Sequence, residues 1–277
     1  MTITPLLLTA LASVAAGPAP GAAPSPPERA PALEVQEPKG DDKETRKERA
    51  AKEKAAVARL KAGLKSDQAN ERQAALVDAA ETPYPAVIKA LGDAVSDRDP
   101  QVAMIAAELL GRMEQQEAVE TLRRCATRGK KDLAKNPELQ REVIRAIGRH
   151  RDPKSISMLI KGAFSEKDRA TGRARVFAVA NLRSKESAAA IFGEMRKADE
   201  KRLRGWLASI RPALIHVTGT DAGQDPARWL QWWESNRRTF EVPEQPPKLT
   251  GTFAEQWARF WGEDRTYERR KKRGDRG

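Results

Sequence analysis

The feature that most constrains this chain is a pair of apolar stripes that recurs. Val102, Ile105, Ala106, Leu109, Leu110 and Met113 fall at steps of three and four residues, which is one face of an α-helix. Asp99 suits an N-cap and Pro100 the first helical position. After a break at Glu114-Gln115, a second stripe runs through Ala118, Val119, Leu122, Cys125 and Ala126. The pair returns after Asn136-Pro137, with Leu139, Val143, Ile144 and Ile147. Asp152-Pro153 then opens Ile156, Leu159, Ile160, Ala163 and Phe164. A later copy holds Ala174, Phe177, Ala178 and Leu182, then Ala188, Ile191, Phe192 and Met195. An earlier one holds Ala75, Ala79 and Ala80, then Tyr84, Val87, Ile88, Leu91 and Val95. Aligning Ala80, Leu110, Ile147 and Leu182 gives periods of 30, 37 and 35 residues. No such pair buries its apolar stripe alone, so neighbours must stack on a shared core. The expectation is an all-α solenoid of about four helix pairs over 66–217. Leu203, Trp206, Leu207, Ile210 and Leu214 add a helix that caps the stack, and Pro212 predicts a kink or restart in it.

Composition agrees. The chain carries 45 Ala and only 5% aromatic residues, too few large and β-branched side chains for a sandwich or barrel. DPQVAMIAAELLGRMEQQEAVETL at 99–122 and NPELQREVIRAIGRHRDPKSISMLI at 136–160 resemble the bacterial HEAT-repeat family, including the subgroup first described in bilin lyases. The resemblance covers about half the chain. It implies the solenoid fold and, because such solenoids mostly serve as binding scaffolds, a non-catalytic interaction protein. The subgroup also raises an enzyme or chromophore handler as an alternative. The single Cys, the two His and the two Tyr speak against it.

Towards the N-terminus, Leu6–Ala16 is a short apolar run, and Val14-Ala15-Ala16 fits a small-residue cleavage site. Residues 1–16 therefore read as a secretory signal peptide, although no Lys or Arg precedes the run. The competing reading is an Ala/Pro-rich cytosolic N-terminus. Residues 17–40 form a Pro/Ala-rich linker and 41–65 a charged helix, with Glu44/Glu48 and Arg49/Glu53 at helical spacing. One Cys excludes a disulfide framework, and no apolar run is long enough for a spanning helix.

Five of the six Trp lie in the last 49 residues. Two segments share a pattern. Thr218-Gly219-Thr220 precedes Trp229, Trp233 and Arg237, and Thr250-Gly251-Thr252 precedes Trp257, Trp261 and Arg265. Trp residues four apart share a helical face, and Arg four further on can stack over a ring. Trp229, Trp233, Trp257 and Trp261 are thus a candidate aromatic surface. The bland reading is a helical cap, with each Thr-Gly-Thr as the turn that leads in. Residues 218–242 are read as that cap, and 243–277 as a linker, a second Trp segment and a basic tail.

Charge is uneven. Residues 121–215 hold 24 Lys+Arg against 10 Asp+Glu, a net +14, whereas 1–120 sum to −4 and 216–277 to +2. A local field of this size favours an acidic protein or a polyanion as partner. Nucleic acid is the alternative if the chain is cytosolic. The candidate surface comprises Arg123, Arg124, Arg128, Lys130, Lys131, Arg149, Arg151, Lys154, Arg173 and Arg175. His150 and His216 stand apart and Cys125 is alone, so no zinc spacing can be assembled. Nor is there a GxSxG, P-loop or GxGxxG. No cofactor or metal is expected. His150 suits a helix C-terminus, and Cys125, on an apolar stripe, reads as a buried small hydrophobe.

Overall fold

The computed structural model describes residues 42–262, apart from the side chains of 42–45 and Lys130. The expected signal peptide, the Pro/Ala-rich linker, Arg265 and the basic tail lie outside the described residues. Thirteen helices are present among them and no strand: α1 Asp42–Gly63, α2 Ala69–Ala80, α3 Pro85–Ala94, α4 Pro100–Arg112, α5 Gln116–Arg128, α6 Lys130–Leu133, α7 Pro137–Arg149, α8 Ile156–Ile160, α9 Arg169–Ala180, α10 Lys185–Met195, α11 Glu200–Thr218, α12 Pro226–Asn236 and α13 Gly251–Trp261. None of these is long and apolar enough to cross a membrane.

The four expected pairs are α2/α3, α4/α5, α7/α8 and α9/α10. They stack in two rows. The first packs α2 on α4, α4 on α7, α7 on α9 and α9 on α11. The second holds α3 against α5 and α10 against both α8 and α12. Leu110, Ile147, Val176 and Phe177 are sealed between them, and a continuous core runs from Leu60 to Trp261.

Local sequence explains where the helices begin. Asp99 accepts hydrogen bonds from the backbone N–H of Gln101 and Val102, Asn136 from Leu139, Asp152 from Lys154 and Asp225 from Ala227. Proline follows each and needs no donor there. Each cap contributes about 1 kcal/mol.

First-row helices approach closely because small residues meet. A Cβ added to Gly111 would stand 2.7 Å from Ala146 Cα, and one on Gly148 would stand 2.9 Å from Ala178 Cα. At the same C-terminal ends, the C-cap side chain of one repeat reaches the repeat before. His150 Nε2 lies 2.9 Å from the Leu110 carbonyl, and Asn181 Nδ2 donates to the Gly148 carbonyl at 3.1 Å. These are carbonyls that a helix C-terminus leaves open. Ion pairs also bridge neighbours: Arg72 to Asp97 at 3.0 Å, Arg123 to Asp152 at 2.6 Å and Arg141 to Asp168 at 2.8 Å.

Three expectations need correction. The stripe from Ile156 to Phe164 is not one helix. Gly162, at φ 75°, ends α8 after five residues and a 3-10 turn follows over Ala163–Ser165. Of the two readings of Pro212, a kink or a restart, only the restart is excluded, since α11 runs through it for 19 residues. The two Thr-Gly-Thr motifs play opposite parts. Gly219, at φ 73°, terminates α11, whereas Thr250 is the N-cap of α13. Only the second leads into its Trp helix.

Candidate functional site

The ten cations singled out in the sequence fall into distinct environments. Arg124, Arg128, Lys131, Arg151 and Lys154 are exposed. Arg124 donates to Thr121 Oγ1 at 2.8 Å. Arg123, Arg149 and Arg175 are engaged in ion pairs. Arg123 is paired with Asp152, and Arg175 lies 3.3 Å from Glu166. Arg149 is 3.7 Å from Glu142 and donates to the Trp261 carbonyl at 3.3 Å. Arg173 is half-buried, and burial, then the like charges of Arg141 and Arg259, pushes its pKa down. Arg151 adopts the left-handed region at φ 51° in the turn after α7. The Lys130 side chain lies outside the described residues.

The exposed cations do not make one continuous field of ten. Arg124 and Arg128 sit on α5 in the second row, Lys131 on α6 and Lys154 in the 3-10 turn before α8. Lys89 of α3 joins them. It lines, with Arg124 and Arg128, an open groove of about 520 Å³ that Glu117 and Glu120 also border. Lys161, exposed after α8, extends the same row. Lys89 was invisible to the charge reading because it lies in the net-negative half of the sequence. A second-helix position exposed in each pair is the signal that would have found it.

The aromatic candidates pack inward. Trp229 is sealed and donates from Nε1 to the Gly223 carbonyl at 2.8 Å. Trp233 stacks flat on Phe192 at 4.8 Å between centroids. Trp257 is half-buried, stacked on Phe177 at 5.1 Å and on His216 at 4.0 Å. Trp261 is buried, edge-on to Phe260. The second segment is therefore docked on α11. Arg237 turns to Glu234 at 2.7 Å rather than over a Trp. Arg145 over Phe260, Arg169 over Trp206 and Arg211 over Phe253 make cation–π contacts instead.

The remaining titratable candidates have structural surroundings. Burial pushes the Cys125 thiol up, and the half-buried sulfur lies 3.4 Å from the Gly92 carbonyl. A thiol held protonated is a poor nucleophile. Burial pushes the His150 pKa down, so near neutral pH its ring serves the Leu110 carbonyl uncharged, not as the basic group expected at a helix end. Glu142 is raised by burial, against the pull of Arg145 and Arg149.

Stacked helix pairs with bridging ions and a cationic second row set the frame for comparison. Residues 57–136 match the HEAT repeats family. No curated protein matches the chain. The HEAT match spans the end of α1 through α6. The same pairing continues through α7–α10, beyond the matched residues.

Proposed function

We propose that this chain is an exported, non-catalytic scaffold whose second-row face binds an acidic protein or another polyanion. The observation that carries the reading is the set Arg124, Arg128, Lys131 and Lys154. These side chains are exposed on α5, α6 and the turn before α8, and no ion pair is formed by any of them among the described residues. HEAT repeats are generally interaction scaffolds, which supports the protein-partner form. The export part rests on residues 6–16 alone. Nucleic acid is the weaker alternative, because base stacking needs open rings and Trp229, Trp233 and Trp261 are buried.

Binding to heparin, nucleic acid and an acidic protein, each at low and high salt, tests this. Counterions compete with Lys and Arg, so affinity should fall steeply with salt. Arg124→Glu, Arg128→Glu and Lys131→Glu together should abolish binding. Lys52→Glu, Lys54→Glu and Lys61→Glu in α1 should change it little. Equal losses in the two variants would reduce the second-row cations to a solvated face.

A further inference from the structure

The α7/α8 pair is incomplete. Its second helix has five residues behind a 3-10 turn over Pro153–Ser155, eight in all against 10, 13 and 11 in α3, α5 and α10, and α5 and α8 scarcely touch. A cavity of about 300 Å³ opens between α7 and α8. Val143, Ile144 and Ile147 of α7 form its apolar wall, closed by Leu133 and Leu159. Its rim is polar and cationic. Lys161 is exposed there, and Arg175 keeps a buried Nε without a hydrogen-bond partner despite its contact with Glu166. Met158 also lines it, and a flexible thioether adapts to varied apolar shapes. Thr127 borders both this cavity and the groove of Lys89, Arg124 and Arg128. An apolar hole and a cationic strip thus adjoin.

We infer that the acidic partner carries one bulky apolar side chain seated in this cavity, with flanking carboxylates on Lys161 and Arg128. This rests on the scaffold reading above and adds the shape of the partner to its charge. Size limits the occupant. At roughly 30 Å³ per water the cavity has room for about ten waters, enough for one side chain as bulky as Phe and too little for a second helix. Charge complementarity selects an anchor set among acids rather than an apolar segment. A single buried anchor ringed by polar contacts is also how binding energy concentrates in interfaces.

Pools of dodecapeptides, with Asp or Glu at alternate positions and the central residue fixed as Phe, Leu or Ala, separate the two claims. The Phe and Leu pools should bind the full-length protein about tenfold more tightly than the Ala pool, a gain of roughly 1.4 kcal/mol. Ser157→Trp, made at an exposed position on the α8 side of the cavity, should erase that gain and leave Ala-pool binding intact. Gln140→Trp, half-buried on the α7 side, gives the same readout should the first variant fold poorly. Lys161→Glu should weaken all three pools. A Phe gain that persists in both Trp variants overturns the inference, as does salt-sensitive Ala-pool binding with no Phe gain, which leaves the scaffold reading standing. If no pool binds even at low salt, the scaffold reading falls too.

Discussion

His216 lies near the end of α11, 93% buried, with its ring stacked on Trp257 and Nε2 unpaired. Burial, then the nearby Arg183 and Arg151, lowers its pKa from 6.5 to about 4. The unfolded chain therefore binds a proton that the folded chain refuses between these values, and stability falls as pH drops through that window. The full loss is on the order of 3 kcal/mol. Asp168 and Asp221, whose own pKa values sit below 3.8, lose their contributions only at lower pH. His216→Phe keeps a ring on Trp257 and should flatten the change in melting temperature between pH 7 and pH 4.5. A wild-type slope retained in the variant would place the proton elsewhere. At this scale the sequence was least informative. Asp99, Asn136 and Asp225 announce their caps by the proline that follows. That His150 serves the Leu110 carbonyl, or that His216 is sealed under Trp257, depends on neighbours 40 or more residues away.

Helix contacts rest on backbone approach as much as on large side chains. Gly148→Ala places a methyl 2.9 Å from Ala178 Cα and 3.1 Å from Trp261, so α7 must move from α9 or α13 must lift. The expected cost is about 1–3 kcal/mol. Gly193 in α10 is the control, since a Cβ there meets nothing within 4 Å. Gly193→Ala should be neutral or stabilise by up to about 1 kcal/mol through helix propensity and chain entropy. Chemical denaturation of both variants checks the sign; two equal effects would mean that the glycines matter only as helix breakers. Element pairing was legible because apolar stripes at helical spacing are dictated by burial. The α8 break was not. Ile156 to Phe164 carries a good stripe, and only the left-handed turn at Gly162 cuts it. The duplicated Thr-Gly-Thr misled for a related reason. A short turn motif ends one helix as readily as it begins another, and the distance to the next cap decides which.

Each repeat of the stack leans mainly on its neighbours, so its stability is a sum of local terms. Leu110→Ala and Ile147→Ala, at fully buried first-row positions, should each cost roughly 2–5 kcal/mol. Ala50→Gly, exposed in α1, should cost under about 1 kcal/mol. Similar small shifts in thermal midpoint at all three sites would mean that the rows do not share a core. Repeat count, the capping helix and the cationic imbalance were readable at this scale; the division of the cations was not, because pairing of Arg123, Arg149 and Arg175 is settled by acids on other elements. The interrupted second row carries a mechanical consequence. The first row packs without a gap from α2 to α11, with Gly–Ala crossings at α4–α7 and α7–α9, while α5 meets α8 and the turn before it through Arg123 and Gln116 on Asp152 and the Thr127–Met158 contact. Such an array bends like a strip notched on one edge: compliance concentrates at the notch, and whatever fills the notch stiffens the whole strip.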